Sequence, residues 1–228
     1  MRGVGGRAPK VLERIIMSKY KAVIFDLDGV ICHTDKYHYL GWKAVADELG
    51  IYFDEVINNR LRGVSRMESF EIILERYDSV MSEADKIKWA ERKNGIYVDL
   101  LKELGPADVS GDVLRTLESL KAAGFKLAIG SSSKNAQFIL RQIGLIDFFD
   151  AVADGTHISN SKPHPEVFLK AAEFIGVEPE FCLVVEDAES GVEAALAAGM
   201  DAAAIGDAVH CGKGTYNLTV LSDLLEII

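Results

Sequence analysis

The sequence predicts an α/β protein: a doubly wound, Rossmann-like parallel sheet with an α-helical cap inserted into it. Three observations predict this. Five short apolar runs are near-continuous rather than alternating, as strands covered on both faces are. Helical periods separate the later runs, the alternation of a doubly wound sheet. Between the first strand and the next core helix, roughly 70 residues show helical periods and no strand, far too long for a plain βα loop.

The expected strands are Lys21–Asp26, Lys126–Gly130, Phe149–Ala153, Phe181–Glu186 and Ala202–Ile205. Among the core helices, Val113, Leu117 and Leu120 share one face. Val167, Phe168, Ala171, Phe174 and Ile175 share another, and Val192, Ala195 and Leu196 a third. Gly124 and Gly199 stand where helix C-caps are expected. In the insertion, Tyr37, Leu40, Ala44, Val45 and Leu49 make one helical face, Phe70, Ile73, Leu74 and Tyr77 another, and Ile87 to Leu104 a longer helix. This divides the chain into a catalytic core, residues 19–33 and 105–228, and a cap, residues 34–104. Residues 1–18 are expected to be a disordered arm or a mis-assigned start, with Met17 as the alternative initiator.

The 228 residues are 49% apolar, enough for a substantial core. A net charge of −10 and a pI near 5.0 argue against nucleic acid and anionic membrane surfaces as partners. An anionic small molecule remains compatible if Lys and Arg gather in one cleft. Cys32, Cys182 and Cys211 are far apart and form no Cys-x-x-Cys pair, which reads as a reduced, cytoplasmic chain. A cap that must open and close fits a monomer.

The chemistry gathers at strand ends. Asp26-Leu27-Asp28-Gly29 follows the first strand, and two carboxylates two residues apart can face one crevice. They repel unless a cation or a proton intervenes. The pair therefore suits an Asp nucleophile, an Asp acid/base and magnesium, and so phosphoryl transfer. Ser131-Ser132-Ser133-Lys134-Asn135 follows the second strand, Ser161-Lys162-Pro163 precedes a later helix, and Glu186-Asp187 with Gly191 follows the fourth. Alone, these would equally be a solvated loop, a helix N-cap run, a surface lysine and a turn. In this order, from Lys19 onward, they resemble the haloacid dehalogenase-like superfamily of phosphatases and phosphomutases.

That resemblance implies a role for each part. Asp26 would become an aspartyl phosphate, and Asp28 would act as general acid and base, with a raised pKa. Magnesium would be held by Asp26, the Asp28 main-chain carbonyl, Asp187 and Glu186. Lys162 would balance charge and the Ser131 hydroxyl would orient the transferring group.

The cap is similar to that of the β-phosphoglucomutase family. The stretches are Gly29-Val30-Ile31 with Thr34, Tyr37-His38, Gly41-Trp42-Lys43-Ala44, Leu61-Arg62-Gly63-Val64-Ser65-Arg66, Arg92-Lys93-Asn94, Pro106-Ala107-Asp108-Val109 and Ser133-Lys134-Asn135. This implies that Arg66, Ser133 and Asn135, beside Ser132 and Lys134, hold a phosphate that is not transferring. Lys93 and Trp42 would meet the sugar, Gly63 and Val64 would bring the cap backbone near it, and His38 would gate Asp28 at the hinge. The implied activity interconverts β-glucose 1-phosphate and glucose 6-phosphate, with β-glucose 1,6-bisphosphate as intermediate and activator. A sugar-phosphate phosphatase is the alternative, and a catalytically silent binding protein a more distant one. The chain departs from the pattern at His33, where an acidic residue is common, and at Ala188, where Ser is frequent. His210-Cys211-Gly212-Lys213-Gly214 matches no motif.

Overall fold

The computed structural model describes residues 18–61 and 64–228; the expected arm and Gly63 lie outside them, apart from Ser18. Six strands form one parallel sheet: β1 (Ala22–Phe25), β2 (Lys126–Gly130), β3 (Ala151–Ala153), β4 (Cys182–Glu186), β5 (Asp201–Ala204) and β6 (Tyr216–Asn217). Their order is β3-β2-β1-β4-β5-β6. Only β6 is unexpected; two residues are too few to show a period. Four helices follow β1 where a loop would otherwise run: α1 (Asp35–Glu48), α2 (Glu55–Asn59), α3 (Arg66–Leu74) and α4 (Glu83–Leu101). The later strands are joined by α5 (Gly111–Ala122), α6 (Ala136–Gln142), α7 (Glu166–Ile175) and α8 (Glu189–Ala197).

Alternation along β1 explains the two layers. Val23 and Phe25 join Leu117, Leu120 and Ile139 on one face; Ala22 and Ile24 join Val167, Phe168 and Ala194 on the other. The second face is rich in alanine, which lets α7 and α8 lie close to the sheet. A third cluster, around Trp42, Val45, Phe70 and Ile73, is the cap's own. The cap's base is anchored differently, because Tyr37, Tyr97 and Leu101 belong to the first core cluster.

Several helical faces differ from expectation. Leu40, Phe174 and Leu196 are 46%, 44% and 41% exposed. In α1 the buried face runs through Tyr37, Gly41, Trp42, Val45 and Ala46, so a reading of large apolar residues alone misses the contribution of Gly41. Helix α4 begins at Glu83 rather than Ile87, because the Ser82 hydroxyl accepts the Asp85 N–H and caps it. It ends at Leu101, before Leu104, and Tyr77 lies beyond the end of α3. Gly124 and Gly199 take φ of +89° and +74° after α5 and α8, as their cap positions require.

The central pair β1 and β4 is the topological switch point. The chain turns from β1 toward β2 and from β4 toward β5, leaving a crevice at their C-terminal ends.

Candidate active site

Asp26 follows β1 directly, and its N–H donates to the Val185 carbonyl at 2.9 Å, which sets it beside Glu186. Lys162 reaches both, its Nζ lying 2.5 Å from Asp26 Oδ1 and 2.5 Å from Glu186 Oε1. The Lys162 Nζ also lies 4.6 Å from the centroid of the Phe168 ring. That ring can be there because residue 130 is glycine: a Cβ on Gly130 would come within 2.6 Å of it. Burial would lower the lysine, but Asp26 and Glu186 outweigh it and hold Lys162 above its ordinary value. Burial, with repulsion from Asp26, raises Glu186 despite Lys162. The second Glu186 oxygen accepts the Ala188 N–H at 2.9 Å, so both its oxygens are engaged. A Cβ on Gly191 would come within 1.9 Å of the Glu186 carboxyl carbon, so only glycine leaves that carboxylate in place.

Asp187 completes the acidic end. It lies over Gly29, where a Cβ would come within 2.0 Å of Asp187 Oδ2. Burial, then repulsion from Asp26, Glu186 and Asp28, pushes its carboxyl up to about 8. This excess negative charge, offered by hard oxygen donors, fits a divalent cation such as magnesium. Among the described residues no three such side chains already form a closed cage. The reason is local: Lys162 engages Asp26 and Glu186, and Thr34 engages Asp28.

Asp28 accepts the Thr34 N–H at 2.8 Å and the Thr34 hydroxyl at 2.5 Å. Burial pushes its carboxyl up to about 7, although both Thr34 bonds favour the charged form. His38 Nε2 lies 3.5 Å from Asp28 Oδ2, and His38 Nδ1 lies 2.8 Å from Lys93 Nζ. A protonated Lys93 can only donate, so Nδ1 accepts and the ring proton sits on Nε2, facing Asp28. Burial, with Lys93 and Arg66 nearby, keeps His38 neutral by lowering its pKa well below the usual value. Lys93 is itself buried over the Trp42 and Tyr97 rings and against Gly41. Burial, then Arg66, lowers it to about 7. Removing the Thr34 hydroxyl takes away a bond to the charged form of Asp28. Thr34→Val is therefore expected to move the Asp28 midpoint above about 7, followed by the carboxyl carbon shift in metal-free protein. An unchanged or lower midpoint would contradict the assignment.

The cavity is also lined by the cationic Arg66 and Lys93. Arg66 occupies the first turn of α3, where a cation opposes the helix dipole; Ser65 and Glu68 supply a capping box there. Its Nη2 donates to Asn94 Oδ1 at 2.8 Å, and Asn135 Nδ2 donates to the same oxygen at 2.9 Å. The serine loop is wound by its own hydroxyls: Ser131 Oγ accepts the Ser133 N–H and Ser133 Oγ accepts the Asn135 N–H, both at 3.2 Å. Ser132 Oγ is buried and meets no hydrogen-bond partner among the described residues. The loop rests on Gly155, where a Cβ would come within 2.4 Å of the Ser132 carbonyl. Asp26, Asp28, Lys162, Glu186 and Asp187 share one cavity of about 1180 Å³ with His38, Trp42, Val64, Arg66, Lys93 and residues 131–135. Every site residue expected from the sequence lines it except Gly63, which lies outside the described residues.

Residues 20–199 match the model of the haloacid dehalogenase-like hydrolase family. The chain belongs to that family. Within the family it is similar to the β-phosphoglucomutase of Bacillus subtilis, with 44% identity over 82% of this chain and 83% of the relative. It is also 34% identical to the phosphorylated carbohydrates phosphatase of Thermotoga maritima, over 79% of this chain and 82% of the relative. The fold is similar to the crystal structure of β-phosphoglucomutase from Clostridium difficile, with a TM-score of 0.84 and 38% identity over 90% of this chain and 93% of that one. This haloacid dehalogenase-like protein has no helix, among its described residues, long and apolar enough to cross a membrane.

The sequence alone assigns no role to Tyr97, Asn94 or Gly191. Asn94 and Thr34 sit in stretches that carry the family resemblance, a usable signal; Tyr97 offers none. Of the two departures, His33 is exposed, and Ala188 donates its N–H to Glu186 while its carbonyl accepts the Gly191 and Val192 N–H groups. The unmatched segment near residue 213 is fastened to α8, as Lys213 Nζ pairs with Glu189 and Glu193.

Proposed function

We propose that the protein is a cytoplasmic, monomeric β-phosphoglucomutase, interconverting β-D-glucose 1-phosphate and glucose 6-phosphate. The observation that carries this reading is that one cavity holds both the carboxylate cluster and a second set of anion-binding donors. Asp26, Asp28, Glu186 and Asp187 line it with Lys162, and so does Arg66, which is joined through Asn94 to Asn135. A mutase must hold one phosphate while transferring the other, and Arg66 with Asn135 gives the resting phosphate its place.

In the proposed cycle, phosphorylated Asp26 gives its phosphoryl group to the 6-hydroxyl of β-glucose 1-phosphate. The Asp26 oxygen–phosphorus bond breaks, a sugar oxygen–phosphorus bond forms, and Asp28 takes the hydroxyl proton. β-Glucose 1,6-bisphosphate turns round. Asp26 then attacks the 1-phosphate, Asp28 returns its proton to the departing sugar oxygen, and glucose 6-phosphate leaves. A carboxyl near 7 suits a group that works in both directions. Lys162 and the Ser131 hydroxyl bind the transferring group, while Arg66, Ser133 and Asn135 bind the resting one. Magnesium, held by Asp26, the Asp28 main-chain carbonyl and Asp187, would offset charge between nucleophile and phosphate. The cap, residues 34–104, closes over the core and keeps water from the aspartyl phosphate.

Supplying β-glucose 1-phosphate with a trace of the bisphosphate and magnesium tests the reading. Glucose 6-phosphate without free phosphate is expected, with the α anomer inert. Free phosphate as the main product would instead make the protein a sugar-phosphate phosphatase, the activity named for the Thermotoga relative.

A further inference from the structure

Two side chains meet Asp28 Oδ2, and one residue lies behind both. The Thr34 hydroxyl is 2.5 Å from that oxygen and His38 Nε2 is 3.5 Å from it. Behind the threonine, the Tyr97 hydroxyl lies 3.0 Å from Thr34 Oγ1. Behind the histidine, the Tyr97 ring packs on the imidazole with centroids 4.1 Å apart. Tyr97 is itself buried in the first core cluster, so packing fixes its place. The direction of the hydrogen bonds follows from the number of protons. An ionised Asp28 can only accept, so Thr34 donates its one hydroxyl proton to it. Thr34 Oγ1 is left to accept, and Tyr97 must donate. Burial, then the nearby Asp28, holds the Tyr97 phenol well above its ordinary value, so that proton stays on the tyrosine.

We infer that Tyr97 is a positioning residue for the acid/base step: its hydroxyl turns the Thr34 hydroxyl toward Asp28 and so fixes the way the Asp28 carboxylate faces. This rests on the reading of Asp28 as the acid/base. A threonine hydroxyl on its own rotates about its C–O bond and accepts as readily as it donates. Once Tyr97 donates to the Thr34 oxygen, the threonine proton has one direction left, toward Asp28 Oδ2. Two hydrogen bonds in line also strengthen each other in a buried site. The Thr34 N–H holds the other Asp28 oxygen at 2.8 Å, so the carboxylate is fixed at both ends. No proton leaves Tyr97 in the cycle; the sugar oxygen and Asp28 exchange one between themselves.

Tyr97→Phe removes the hydroxyl and keeps the ring against His38 and beneath the Lys93 ammonium. Packing is thereby preserved and only the donor is lost. With β-glucose 1-phosphate, a trace of the bisphosphate and magnesium, kcat is expected to fall about fivefold while KM stays within about twofold, because in this reading Asp28 meets the moving proton and not the phosphates. Thr34→Val breaks the link between Tyr97 and Asp28, and Thr34→Ala breaks it with a smaller side chain. Adding Tyr97→Phe to either should lower kcat no further. An unchanged kcat in Tyr97→Phe overturns the inference, because the hydroxyl then does nothing. The same fall in the wild type and in both Thr34 backgrounds overturns it too, because the hydroxyl then acts without Thr34. So does a raised KM with kcat kept, the mark of a role in binding. Asp28→Asn separates this from the reading beneath it. Full turnover by Asp28→Asn removes the acid/base and the positioning role together. Lost turnover there, beside an unaffected Tyr97→Phe, removes the positioning role alone.

Discussion

Replacing Asp26 by Asn is expected to abolish turnover and phosphoenzyme together, by on the order of 10⁴-fold or more. An amide carries no negative charge and is a poor nucleophile toward phosphorus. The substitution is nearly isosteric, and the backbone bond from residue 26 to the Val185 carbonyl does not involve the side chain. The fold should therefore survive, with Lys162 still paired to Glu186. Mass spectrometry after incubation with substrate should find phosphate on the wild type and none on the variant. Full turnover by Asp26→Asn would remove Asp26 as nucleophile and leave the acidic end without its proposed purpose. Partial phosphorylation elsewhere would point to a different attacking group.

The strand ends were legible in the sequence because their signal is local. Apolar runs followed at once by Asp26, Ser131 and Glu186 place polar groups at the C-terminal edge of a parallel sheet, and the sheet's order does the rest. The cap was legible as a helical insertion, but the buried faces of its helices and of the core helices were not. Leu40, Phe174 and Leu196 are large and apolar yet exposed, whereas Gly41 is buried because the Lys93 stem lies against it. Periodicity cannot see a glycine whose value is the space it leaves. The same blindness hid what Gly130 and Gly191 do, which is to admit the Phe168 ring and the Glu186 carboxylate. Partnerships across long separations were equally out of reach. Tyr97 meets Thr34 at 3.0 Å across 63 residues, and nothing in the local sequence of either announces the other.

The site also shows how charge is held in a closed core. Four carboxylates and one lysine meet here, and burial disfavours charge on Asp28, Glu186, Asp187 and Lys162. Glycine at 29 and 191 lets Asp187 and Glu186 approach without side-chain conflict, while Lys162 compensates two of the four. Stability and chemistry therefore depend on the same cation.

Lys162→Met should expose that dependence. Methionine keeps much of the lysine's bulk against Phe168 but leaves Asp26 and Glu186 buried without their shared cation. Breaking a buried pair by removing one partner costs about 3–5 kcal/mol, and the variant should lose that stability in metal-free buffer near neutral pH. The pH dependence follows from the direction of each shift. In the wild type Lys162 is raised, so its contribution is fully present below the ordinary lysine value of 10.5 and is lost only as pH rises through its higher folded value. Glu186 is raised by burial even with the lysine present, and losing the cation pushes it higher still. The folded variant then retains a proton that the unfolded chain releases above the ordinary glutamate value of 4.5, so its stability falls as pH rises. Denaturant unfolding should find variant and wild type closest near pH 5 and furthest apart near pH 8, with turnover largely lost throughout. A gap that does not change with pH would mean that the carboxylates stay charged without Lys162. Charge compensation would then come from elsewhere in the site, and the lysine's place in the chemistry would have to be argued from the transferring phosphate alone.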